Sequence, residues 1–109
     1  MRASAFLLVF TTAPDQKTAL KISNLLLDQC LCACVNISAP IKSLYRWKGK
    51  KEQAKEVLML IKTRKSLFIK LQKAILKNHP YEVPEIIAVP LAAGSPAYLS
   101  WILKETAQR

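Results

Sequence analysis

The chain has 109 residues, 51% of them apolar and only two of them glycine, which bounds it to a single packed domain over 1–109 and excludes a disordered chain. A formal charge of +10 favours acidic partners without identifying one. Cys30, Cys32 and Cys34 are odd in number and crowded together, which excludes the even disulfide framework of a small secreted scaffold and favours a reducing compartment.

Arg2, the apolar run 5–10 and Thr11-Thr12-Ala13 imitate the layout of a short signal peptide. The run is short for that role, and cleavage after Ala13 would delete the only strand-like segment before the first helix. The expectation is therefore a buried strand over 5–12, apolar on both faces. No apolar run approaches the ~18 residues of a membrane span, so no membrane partner is expected. Ala13-Pro14-Asp15 starts a helix, with proline near the first turn and a carboxylate at the positive end. Ala19, Ile22, Leu26 and Cys30 fall on one helical face, and Lys17, Lys21, Asn24 and Asp28 on the other.

The stretch 32–37 has β character and puts Cys32 and Cys34 on one face, while Pro40 marks an edge, a bulge or a bend. A long hairpin follows over 44–63. Leu44, Tyr45 and Trp47 favour the incoming strand, Lys48-Gly49 supplies the turn, and Val57 to Ile61 form an apolar return. If the arms reach from near Ala33 to near Thr63, each runs roughly 45 Å at about 3.3 Å per residue. A body of this length has a radius of gyration of only about 13 Å, so the hairpin overhangs it, and neighbouring subunits are the simplest cover.

Ser66 is the expected N-cap of a second helix whose Phe68, Leu71, Ile75 and Leu76 face inward and whose Lys70, Lys73 and Lys77 face water, ending at Asn78 before Pro80. A strand is expected over 85–89. Ser95 and Pro96 then open a short last helix packing through Tyr98, Trp101 and Ile102. The element order is that of an α/β (α+β) ferredoxin-like β-α-β-β-α-β sandwich with an extra C-terminal helix and a long β-hairpin.

Several strings resemble one family. Thr12-Ala13-Pro14-Asp15, Ala33-Cys34-Val35-Asn36, Tyr45-Arg46-Trp47-Lys48-Gly49-Lys50, Lys62-Thr63-Arg64, the run from His79 to Ile86 and the run from Pro96 to Ile102 look like the signature stretches of the CutA divalent-cation tolerance family, in the right order along the chain. The resemblance implies a cytoplasmic homotrimer, PII-like in architecture and not an enzyme, linked to tolerance of copper and other divalent cations. It also implies that the hairpin helps assemble the trimer. Tyr45, Trp47 and Trp101 are expected at the subunit interface, where aromatics supply much of the buried area. The chain departs from the family where some members carry cysteine before the Thr-Ala-Pro-Asp string and it has Thr11. It departs again where relatives carry an acidic residue after the hairpin turn and it has Ala54.

The donors expected to meet a copper or other divalent cation are Cys34, whose thiolate suits Cu(I) or Zn, and His79, the only histidine. Glu82 and Glu85 are auxiliary ligands or else ion-pair partners of the surplus lysine and arginine. Against the metal stand bland roles: a buried apolar cysteine, and a histidine bonded to the last helical carbonyls. A signalling or scaffold trimer that reads a small anion or a protein partner is the alternative function. The basic clusters lack the aromatic strings of an RNA-recognition sheet, so no specific nucleic-acid partner is expected.

Overall fold

In the computed structural model, which describes residues 1–107, strand β1 is Phe6–Ala13, helix α1 Gln16–Asp28, strand β2 Cys34–Ile37 and strand β3 Ile41–Trp47. Strand β4 (Lys50–Arg64), helix α2 (Phe68–Asn78), strand β5 (Ile87–Pro90) and helix α3 (Pro96–Glu105) complete the order. The sheet runs β2-β4-β1-β5, with β3 beside β4 and every ladder antiparallel. This is the expected ferredoxin-like arrangement with an added helix.

Alternation along β1 sorts the two faces. Leu7, Val9 and Ala13 join Val57, Met59 and Ile61 of β4 under α1 and α2, where Ala19, Ile22, Leu26, Leu71 and Ile75 complete the main core. Phe6 points the other way and packs with Leu99 and Ile102 of α3. Arg64 ties that helix down, donating from Nε to Thr106 Oγ1 at 2.8 Å and from Nη2 to the Thr106 carbonyl at 2.5 Å. It is thus a half-buried clamp.

The hairpin turns at Lys48 and Gly49, both at positive φ (51° and 79°), the two-residue geometry that matches strand twist. Its incoming arm is interrupted where sequence placed Pro40: Ser38, Ala39 and Pro40 oppose only Val57 and Leu58. This is a bulge, and Ser38 splices it. Its N–H donates to the Leu58 carbonyl at 2.9 Å, and its hydroxyl accepts from the Leu58 N–H at 2.8 Å. Along one edge of β4 therefore lie β3 and then β2, and along the other lies β1, opposite Val57 to Arg64 only. The molecule extends 45 Å along its longest axis, with a radius of gyration of 14.5 Å.

Four local expectations need correction. Cys30 is not on the α1 face, because the helix ends at Asp28 and Cys30 adopts φ 56° beyond it. The Cys30 N–H bonds the Leu27 carbonyl and the Leu31 N–H bonds the Leu26 carbonyl, a Schellman closure in which Cys30 fills the position glycine prefers. Ser66 does not cap α2: a 3₁₀ turn over Lys65–Leu67 precedes the helix, and Leu67 takes the N-cap position. Leu76 is 50% exposed, since it lies 100° around the helix from Ile75. On α3 the buried stripe is Leu99 and Ile102, leaving Tyr98 and Trp101 exposed on the adjoining stripe.

Replacing Cys30 with glycine relieves the Cβ penalty at positive φ and is expected to raise stability by about 1 kcal/mol. The urea midpoint reads it; an unchanged or lower midpoint would show that the cysteine is not strained.

Candidate functional site

The turn out of α2 is built on His79, which is 8% exposed. The Tyr81 N–H donates to Nδ1 at 3.1 Å, so the ring proton lies on Nε2, which donates to the Thr12 carbonyl at 2.7 Å. The histidine thus bridges the end of β1 to the chain beyond α2, and does not bond the last helical carbonyls. Asn78 does that, donating from Nδ2 to the Ala74 carbonyl at 2.8 Å.

The bridge holds the segment 80–85 against the base of the hairpin. Tyr81 packs its ring 4.7 Å from the imidazole and donates its hydroxyl to Glu56 Oε2 at 2.7 Å. Burial above all, and then the Glu56 carboxylate, push the Tyr81 hydroxyl well above the ordinary phenol range, so it stays a donor at any physiological pH. Between this pair and the hairpin opens a cleft of about 710 Å³, lined by Thr12, Ser43, Leu44, Tyr45, Trp47, Glu56, Pro80, Tyr81, Glu82, Val83 and Glu85. Four residues singled out separately in the sequence, Tyr45, Trp47, Glu82 and Glu85, therefore share one cavity. Glu56 went unremarked there, although a lone acidic residue directly before the apolar run from Val57 is a signal that could have found it.

Cys34 lies elsewhere. It pairs across the ladder with Lys62, whose Nζ stands 3.7 Å from Sγ and also contacts Asn36 Oδ1. Burial above all, and then the nearby Cys34, push the Tyr98 hydroxyl of α3 above the ordinary phenol range. Cys32, by contrast, is buried in the main core, and burial pushes its thiol up to about 12. The two cysteines do not share a face, because β2 begins only at Cys34.

Cys34 and His79 are also apart. Lys62 sits beside Leu8 of β1 and His79 beside Thr12, a separation of roughly 13 Å along the strand at ~3.3 Å per residue. Among the described residues no three His, Cys, Asp or Glu side chains are grouped to hold a metal ion. Thr11 is fully buried, and its hydroxyl has no partner, like that of Ser23 on α1. Trp101, on the helix whose Leu99 and Ile102 pack on Phe6, stands with its ring 5.4 Å from that of Tyr98. No helix among the described residues is long and apolar enough to cross a membrane.

The family described as CutA1 divalent ion tolerance protein matches residues 7–105. The chain is 41% identical over 98 residues to the divalent-cation tolerance protein CutA of Thermus thermophilus, covering 90% of this chain and 95% of that protein. It is 45% identical over 97 residues to Protein CutA of Mus musculus, covering 89% of this chain but 55% of the mouse protein, so it spans about half the length of that relative. Its backbone superposes on the crystal structure of CutA from Xylella fastidiosa with a TM-score of 0.92 at 39% identity, covering 95% of this chain and 100% of that one.

Proposed function

Because the chain belongs to the CutA1 divalent ion tolerance family, we propose that it works as a cytoplasmic homotrimer, without catalysis, that takes up a divalent cation, copper foremost. The observation that carries the assembly is the half-covered hairpin. From Lys50 to Glu56, β4 has a partner on one edge only, and Leu44, Tyr45 and Trp47 beside it are 72%, 45% and 38% exposed. A single protomer that overhangs in this way leaves apolar area and strand edge for neighbours to cover.

The donor set of one protomer does not close a coordination shell. Both ring nitrogens of His79 are bonded to backbone, and Cys34 is too far away to join it. Cys34 is the soft donor copper would select, Glu82 and Glu85 are exposed hard donors, and His79 enters only by releasing Thr12 or Tyr81. A complete site on this reading draws donors from more than one subunit.

A competition titration of reduced protein against a copper chelator tests this directly. The expected result is uptake weakened at least tenfold in Cys34→Ala and in the Glu82→Gln/Glu85→Gln pair. Uptake that matches the parent in both variants, or no uptake by the parent, would remove the reading.

A second reading, a PII-like signalling or scaffold trimer, is favoured by the cleft beside the hairpin. Its charge is the reverse of the small-anion site expected from sequence, since its charged lining residues are all carboxylates.

A further inference from the structure

The cleft holds a charge that its own walls do not neutralise. Glu56 is 7% exposed, and its hydrogen bond comes from a neutral donor, the Tyr81 hydroxyl. No lysine or arginine stands among the described residues lining the cleft, although the chain carries 17 of them. A carboxylate withdrawn from water without a cation is costly, and in a cleft such a group marks a place where a ligand supplies the missing charge. Glu82 and Glu85 stand exposed on the same lining, so three of the seven acidic residues face one cavity in a protein of net charge +10.

The dimensions select the kind of cation. A cavity of about 710 Å³ far exceeds the shell of a bare ion, and among the described residues no three donors are grouped for one. Its other walls are apolar and aromatic, notably Tyr45, Trp47 and Val83. Aromatic faces attract ammonium and guanidinium groups, and an apolar wall holds the body that carries them.

We propose that the cleft binds a small organic cation, a primary ammonium or guanidinium on an apolar or aromatic body, with Glu56 as counter-ion and Tyr45 and Trp47 as its wall. The Tyr81 hydroxyl fixes the Glu56 carboxylate, and Glu82 and Glu85 draw the cation in. The proposal shares Glu82 and Glu85 with the metal reading but uses neither Cys34 nor His79 as a ligand, and its counter-ion Glu56 has no part in that reading. Tyr45 and Trp47 are also assigned to subunit contact, so binding is a property of the assembled protein.

Calorimetric titration of the assembled, reduced protein with 2-phenylethylammonium, in the presence of a metal chelator, tests it. Saturable binding is expected, with neutral 2-phenylethanol at least tenfold weaker. Glu56→Gln should weaken the ammonium at least tenfold. Should that buried variant not fold, Glu82→Gln/Glu85→Gln alters only exposed positions and should weaken binding about threefold with its thermal melt unchanged. Equal affinity for the alcohol, full affinity in the folded variants, or no binding at millimolar ammonium would overturn the proposal. The chelator keeps metal out, so this failure and failure of the copper titration are separate results.

Discussion

Exchanging Tyr45 and Trp47 together for serine is expected to shift the sedimentation-equilibrium mass at micromolar concentration from three subunits to the 12.2 kDa of one chain. Both rings lie on β3 near the hairpin turn, 45% and 38% exposed, and neither belongs to the main core. Truncating an aromatic anchor at an interface costs about 2–4 kcal/mol. At ~1.4 kcal/mol per tenfold, losing both loosens each subunit contact by roughly three decades or more. The protomer itself should keep its circular dichroism, because Lys48 and Gly49 still set the turn and the β3–β4 ladder is main-chain. A double variant that sediments as the parent does would show that these rings do not hold the assembly. A monomeric parent would remove the assembly altogether.

The second large effect is at the histidine. His79→Ala is expected to cost about 3 kcal/mol, read as a drop in the urea midpoint. The residue is 8% exposed, its two ring bonds reach the Thr12 carbonyl and the Tyr81 N–H, and alanine leaves both groups without a partner. His79→Gln, whose amide both donates and accepts, should recover part of the loss. The variant also speaks to chemistry. A cost below about 1 kcal/mol would mean that the ring is not a strut and that its nitrogens are available to a metal.

What could be read in advance was local. Asp15, Ser95 and Pro96 mark their helix starts because capping is decided within one turn: Asp15 accepts from the Thr18 N–H at 2.7 Å, and Ser95 accepts from the Tyr98 N–H at 3.3 Å. Lys48-Gly49 marks the hairpin for the same reason. The misplacements at Cys30, Ser66 and Leu76 each turn on a residue or two at a helix boundary or on 100° of helical rotation, below what spacing resolves. The site was beyond local reading. Glu56 meets Tyr81 across 25 residues and His79 meets Thr12 across 67, and only the folded sheet brings those partners together. Glu82 and Glu85 were visible as carboxylates, but nothing in their neighbourhood showed that Trp47 and Tyr45 would stand across from them. Cys32 and Cys34 were read as one face because the strand was taken to begin before them, and the start of β2 at Cys34 separates them.

The uneven flanking of β4 bears on how the protein avoids amyloid-type stacking. Its hazardous window is Val57 to Ile61, apolar and uninterrupted, the kind of segment that templates cross-strand growth when an edge is free. In the fold that window is enclosed, with β1 along one edge and Ser38 and β2 along the other. The half of the strand left open on one side is Lys50 to Glu56, where three lysines and two glutamates break any run of sticky side chains. The strand's composition changes where its second neighbour begins. Part of the chain's positive charge thus acts as a guard on an exposed edge, keeping it soluble until a matching surface covers it.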